Sequence, residues 1–190
     1  MIAPTPIETL EAEHRVIHKV VAGMAVLADK LEAGEDVHVS LLGNIVEFLR
    51  TFADRCHHGK EEALLFPVLQ SRGVPSHGCP LGGLTMEHQK GRAMVGELAE
   101  AIRAYTGNES SARASLVKSL RDLTALYPNH IWKEDYLLFP LAAKVLTLED
   151  QQVLAGKFEE VDHELGHEVH ERFEKFAAEL ESKVSGITAP

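Results

Sequence analysis

The sequence predicts an all-α protein: an antiparallel up-down four-helix bundle with an additional C-terminal helix. Three observations lead there. Apolar residues recur at three- and four-residue spacing through several long segments, the period of a helix with one buried face. Gly- and Pro-rich stretches fall between those segments. No alternating apolar and polar run marks a strand anywhere in the 190 residues. That length suits one domain. Residues 1–190 are therefore read as a single domain, with a bundle core over about 6–146 and the extra helix over about 148–184.

The first helix opens at "TPIE", residues 5–8, with Thr5 as cap, Pro6 in the first turn and Glu8 closing a capping box. Ile7, Leu10, Ile17, Val21, Met24 and Ala28 follow at helical spacing, and Gly34 suits the end. Asp36 is placed to cap the second helix, whose inward stripe is Leu42, Ile45, Leu49 and Phe52 and which runs to about Ser71. "RGVPSHGCPLGG", residues 72–83, reads as a loop. The third helix runs from about Leu81 or Leu84 to Tyr105, where "TGNESS" breaks it. Ser110 or Ser111 caps the fourth, which carries Leu116, Leu120, Leu123 and Leu126 and reaches Pro140 or a little beyond. Pro128 lies inside that helix and predicts a kink. Pro67 and Pro140 predict bends or ends at matching points of the second and fourth helices. "TLED", residues 147–150, opens a fifth helix running to about Val184, and "SGITAP" reads as a frayed tail.

Composition narrows the function classes. A formal charge of −10 argues against a nucleic-acid partner and offers no attraction to an anionic membrane. No apolar stretch approaches the roughly 20 residues of a membrane span. The start, "MIAPTPIETLEAEH", lacks a basic region and an apolar region, so no signal peptide is expected. Cys56 and Cys79 do not make a disulfide framework, which points to a reduced, cytoplasmic setting. No protein partner is named by any of these features.

One pattern occurs twice. "HHGKEEALLFP", residues 57–67, returns as "HIWKEDYLLFP", residues 130–140. "AEHR" around His14 likewise resembles "MEHQ" around His88. Counting along antiparallel hairpins at a rise of about 1.5 Å per residue brings His14 level with His57, and His88 level with His130. Four helices then present four histidines at one height. Residues four apart share a helix face, so Glu61 sits with His57 and Glu134 with His130. The rest of those faces is apolar, and ionisable groups there are costly unless paired or ligated. His58 and Glu62 form a rival pair, but their face carries Glu47, Thr51, Asp54 and Arg55, which reads as solvated, and the second copy has Ile131 where the first has His58. Asp135 points about 140° from His130 and is the weaker candidate beside Glu134. Neutral imidazoles and carboxylates suit Fe, Mn and Zn. Two carboxylates can bridge two ions, and two iron ions are the natural guess, with another divalent metal as the alternative.

These residues resemble the hemerythrin-like, or HHE cation-binding, proteins. The likeness covers roughly residues 8 to 142: "EH" on the first helix, "HHGKEEALLFP" on the second, "GCPLGGLTMEH" entering the third and "HIWKEDYLLFP" on the fourth. The resemblance implies a four-helix bundle around a non-haem di-iron centre. Carried over by position, it supports His14, His57, Glu61, His88, His130 and Glu134 as metal ligands. Oxygen-carrying hemerythrins have a second histidine four residues along the third helix, where this chain has Arg92, and an aspartate matching Asp135. The site therefore looks closer to the HHE branch than to oxygen storage. His18, one turn after His14, and His163 are candidate further histidines, and Tyr127 is placed either to hydrogen-bond a bound ligand or to fill the core.

"HELGH", residues 163–167, matches the zinc-protease motif H-E-x-x-H by composition alone, because His170 and Phe173 depart from its extended form. The expected function is a metal protein that binds or senses a small diatomic ligand such as O₂ or NO. The alternatives are an enzyme of iron–sulfur repair or of peroxide or NO handling, and an iron-responsive interaction module.

Overall fold

A computed structural model describes residues 4–106 and 111–185. Among these the chain forms six helices and no strand. They are α1 (Pro6–Glu32), α2 (39–71), α3 (Leu81–Thr106), α4 (112–145), α5 (Leu148–Leu165) and α6 (His167–Ser185). The predicted all-helical bundle is therefore present. Thr5 and Glu8 form the capping box of α1, and Gly34 carries the positive φ, 87°, that ends the first turn out of it. Asp36 does not cap α2. His38 does so, accepting from the Ser40 amide. Asp36 instead takes Arg113 of α4 at 2.5 Å and the Tyr105 hydroxyl at 3.0 Å, and a charge-assisted bond outcompetes a cap. Ser111 precedes α4 without a side-chain cap, and Ser110 lies outside the described residues.

The repeat has a backbone signature. α2 passes through π-helical Leu49–His58 and Glu61–Leu65 before returning to α-helix at Phe66–Ser71. α4 passes through π-helical Glu134–Leu138 before α-helical Phe139–Val145. Pro67 and Pro140 thus do not end their helices; each follows a wide turn by two residues. Proline supplies no N–H and crowds the carbonyl four residues back. A turn bonded i to i+5, as Phe66 to Glu61 and Phe139 to Glu134, absorbs that mismatch just before it. Pro128 sits within the α-helical run Ala112–Lys133, which continues through it.

Contacts along their lengths set how the helices pair. α1 and α4 run antiparallel, with His14 beside Asp135, Asp29 beside Arg121 and the Leu31 carbonyl beside Arg113. α2 and α3 do the same, through Glu62 and Asp54 to His88 and Arg92. Two apolar clusters form. One holds Ile17, Phe48, Leu120, Leu123 and Tyr127. The other holds Leu10, Leu65, Phe66, Leu138 and Phe139. The polar layer at His14, His57, His88 and His130 lies near the boundary between them on α1 to α4.

The single C-terminal helix expected from the sequence is two helices. Thr147 and Asp150 open α5 with a capping box, as "TLED" predicts. Gly166 then breaks the run at φ 93°, a conformation that side chains other than glycine rarely adopt. α5 follows α2, with Asp150 bonded to Arg72 at 2.8 Å and Asp162 to Lys60 at 2.6 Å. α6 packs Phe173 edge-on against Phe48 and sets Leu180 against Gly23 of α1. A glycine inside a helix costs about 1 kcal/mol relative to alanine. Here it makes room, because a Cβ at Gly23 would stand 2.5 Å from Leu180 Cδ2 and 2.6 Å from Cγ. Gly23→Val should overpack that contact and lower stability by about 1–3 kcal/mol. Thermal unfolding checks this, and an unchanged midpoint would remove the close approach. The break also disposes of the zinc-protease motif, since His163 and His167 flank Gly166 rather than sharing a continuous turn.

Candidate metal centre

Four helices each bring one histidine to the polar layer, and the level predicted by counting is the level observed. The Nε2 atoms of His14 and His57 face each other at 3.0 Å, and those of His88 and His130 at 3.1 Å. All four side chains are buried. Each ring is held from behind. His14 Nδ1 bonds Asp135 at 2.7 Å, His57 Nδ1 bonds Glu13 at 2.9 Å, His88 Nδ1 bonds Glu62 at 2.7 Å and His130 Nδ1 bonds Glu87 at 3.0 Å. An ionised carboxylate only accepts, so each Nδ1 carries the hydrogen. A neutral ring then points a bare Nε2 lone pair at its neighbour.

Glu61 and Glu134 lie between the two histidine pairs. Glu134 Oε2 is 3.2 Å from His14 Nε2, while its Oε1 is 3.1 Å from His130 Nε2 and 3.5 Å from His88 Nε2. Glu61 Oε2 is 3.4 Å from His88 Nε2 and 3.8 Å from His57 Nε2. Both side chains are wholly buried, and none of their four oxygens makes a hydrogen bond. Buried carboxylates without hydrogen bonds are unfavourable in an apolar setting unless positive charge, from a metal ion or from protons on the facing rings, stands between the groups. A metal bonded at about 2.1 Å to two nitrogens at right angles would separate them by about 3.0 Å. The facing pairs have that separation, and the donor set is the one borderline metals prefer. The residues fit a cation centre.

The electrostatics agree. Burial opposes charging of His14, but Asp135 and then Glu134 outweigh it and push its pKa up to about 10. Burial dominates at His57 and takes it down to about 4. Burial and the neighbouring Glu134 push Glu61 well up, whereas His130 leads the imidazoles that overcome burial and hold Glu134 well down. Without metal, protons stand where cations would, and cation uptake displaces them.

The duplicated "LFP" now has a use. Phe139 stacks on His14 with ring centres 5.4 Å apart, and Phe66 on His88 at 6.0 Å. Each phenylalanine covers a histidine from the other hairpin. Leu65 and Leu138 beside them have no solvent exposure.

The six residues singled out in the sequence all meet here, but the surroundings differ from expectation at several points. Of the rival pair, Glu62 stays partly exposed but His58 is not on a solvated face. His58 is buried, stacks on His88 at 3.9 Å and 16°, and bonds Asp54 through Nδ1 at 3.3 Å. The π-helical turns of Leu49–His58 explain this, because a wider turn advances each residue by less than an α-helix does and brings neighbours inward together. His18 and His163 are exposed and do not join the layer. Asp135 faces the back of His14 rather than the centre. Arg92, where a histidine was absent, bonds both Asp54 at 2.8 Å and Glu62 at 2.9 Å. Tyr127 is buried, and with His58, Asp54 and Arg92 it lines a cavity of about 240 Å³.

The outer carboxylates were missed by sequence reasoning, although a signal existed. Glu13 precedes His14 and Glu87 precedes His88; Glu62 follows Glu61 and Asp135 follows Glu134. Each acid stands beside one inward residue and serves an imidazole on another helix. Lysines continue the symmetry, Lys60 with Glu13 and Lys133 with Glu87. These two lysine–glutamate pairs differ in cover. α5 and α6 bring Asp162 and His170 over Lys60 and Glu13, while Lys133 and Glu87 stay partly exposed. Cys56 is buried beside Asp162 at 3.3 Å, where burial pushes its thiol up and out of reactivity, and Cys79 is exposed.

Among the described residues no helix is long and apolar enough to cross a membrane. Among curated proteins, uncharacterized proteins of Mycobacterium tuberculosis and Mycobacterium bovis are each 24% identical to this chain over 156 residues. The aligned region is 82% of this chain and 60% of theirs, so the chain spans about 60% of the length of those relatives. The four-helix histidine layer, its paired inward glutamates and the match of residues 5–142 to the Hemerythrin HHE cation binding domain agree, and the chain belongs to that family.

Proposed function

We propose that this chain holds two iron ions and uses them to bind or sense a small diatomic ligand. His14 and His57 would hold one ion and His88 and His130 the other, with the carboxylates of Glu61 and Glu134 available to both. One observation carries this reading. Both inward glutamates are buried, lack hydrogen bonds, and stand within 3.8 Å of imidazole nitrogens from both histidine pairs. A single ion would leave one pair of bare nitrogens facing each other. Glu13, Asp135, Glu62 and Glu87 orient the rings and raise their basicity. Iron with an open coordination position supplies affinity for O₂ or NO. The cavity of about 240 Å³ lined by His58 and Tyr127 lies behind the His88 ring, on which His58 stacks, and has room for so small a molecule.

Metal analysis and optical spectroscopy on anaerobically purified protein, before and after exposure to air or NO, test the proposal. Two irons per chain and a ligand-dependent charge-transfer absorption are expected. One zinc per chain with no spectral response would overturn it.

A further inference from the structure

The cavity beside Tyr127 is larger than a diatomic ligand needs. It measures about 240 Å³ and is lined chiefly by α2 and α3. An apolar cavity of about 150 Å³ already admits a benzene ring. We propose that this cavity is a second ligand site, built for a small organic monocarboxylate with a compact apolar body. The inference goes beyond the two-ion reading and does not require it, because no inward histidine or glutamate of the metal layer lines the cavity.

Three observations support it. First, one side of the cavity is apolar. Leu49 of α2 and Val95 of α3, both members of the upper apolar cluster, face it together with Gly91. A hydrocarbon body buried there leaves water. Second, the cavity has a spare positive charge. Of its two arginines, Arg92 bonds Asp54 at 2.8 Å and Glu62 at 2.9 Å, so Arg92 cancels the charge of Asp54, the carboxylate in the lining. Arg50 is exposed and makes no hydrogen bond or ion pair with any described residue. An unpaired guanidinium stands out in a chain of formal charge −10, and its planar fork of donors matches a carboxylate. A cation would be repelled, and a dianion would leave one charge unmatched. Third, Tyr127 is 3% exposed, lines the cavity, and its hydroxyl bonds no described residue. Buried polar groups ordinarily have a partner. The hydroxyl is therefore available to a polar atom of the guest. His58, stacked on His88 at 3.9 Å, separates the cavity from the metal layer, so the guest would not itself coordinate an ion.

Calorimetric titration of the full-length protein with benzoate tests this, beside benzamide as an uncharged molecule of the same shape. One benzoate per chain is expected, with benzamide weaker by about tenfold or more. Arg50→Gln should lower benzoate affinity by about tenfold or more and leave benzamide unchanged. Val95→Phe should fill the space and exclude both. Arg50 is exposed, so its replacement does not endanger folding and keeps the test valid if Val95→Phe is unstable. Removing metal with a chelator should leave benzoate affinity unchanged in protein that retains its helicity. Affinity lost with the metal while the helices remain would put benzoate on the metal centre and overturn the cavity site. So would undiminished binding to Arg50→Gln, or no binding to the wild type. Failure of the two-ion reading, by contrast, would leave all of the benzoate results as expected.

Discussion

Glu134→Ala and Glu61→Ala should each leave the purified protein without its metal pair, a far larger effect than any change at an outer carboxylate. Loss of an outer partner of a metal-bound histidine costs about 10–100-fold in affinity. Glu62→Ala, which frees the back of His88, belongs to that class, although its sequence position suggested no effect. Glu61 and Glu134 differ because each faces both histidine pairs, so one deletion would remove a donor from both of the proposed ions. Stability should move the opposite way. In the metal-free protein Glu61 is wholly buried with unpaired oxygens, and burial and the charge of Glu134 oppose its ionisation. A buried polar group without a hydrogen bond carries a desolvation penalty of about 1–3 kcal/mol, which an apolar side chain of similar size removes. Glu61→Leu should therefore unfold at an equal or higher temperature without metal while losing the stabilisation that metal confers on the wild type. Metal analysis and paired thermal scans with and without added iron read both quantities. Retention of two ions by Glu61→Ala would remove the bridging role, and a strongly destabilised metal-free Glu61→Leu would make that glutamate structural.

The helices and their common histidine level were legible because helical periodicity and rise are constants, and His14, His57, His88 and His130 need only counting. The inward glutamates were legible because their faces are otherwise apolar. His58 was not, for two physical reasons. The face assignment assumed α-helical rotation through Leu49–His58, where the backbone is π-helical. The second copy also argued against it, since Ile131 is apolar, and a duplicated site need not remain symmetric. Glu13 and Glu87 were hidden for another reason. Their partners lie on other helices, so no spacing within one helix announces them. The split of the last helix turns on the backbone of Gly166 alone, and a glycine within a helical pattern is compatible with either outcome.

Lys60→Met should be among the most destabilising single changes in the chain, and Lys133→Met should not. The two lysines occupy equivalent places in the repeat, and each pairs with the glutamate that orients a histidine of its own hairpin. Their environments set the difference. Lys60 has no solvent exposure, with its ammonium between Glu13 and Asp162, 2.6 Å from the latter, and 5.7 Å from the Phe158 ring centre. Burial disfavours that charge, and Glu13 then more than restores it, so Lys60 stays protonated at neutral pH. Methionine there matches the stem in length but takes the ammonium away from Glu13, which is 2% exposed and keeps only His57 and His170, and from half-buried Asp162. Removing one partner of a buried pair costs about 3–5 kcal/mol. Lys133 is 34% exposed and Glu87 24%, so water takes over the solvation that the lysine supplied. An exposed pair contributes about 0–1 kcal/mol. Denaturant unfolding of the two metal-free variants gives the comparison directly, and equal losses would mean that α5 and α6 do not seal the Glu13 side. Metal binding adds a second readout. Glu13 without Lys60 repels Asp162 and shifts from His57, so Lys60→Met should also weaken the ion at His14 and His57, while Lys133→Met acts, more weakly, on the ion at His88 and His130. The C-terminal helices would then stabilise one half of a symmetric centre, through a lysine that never touches the metal.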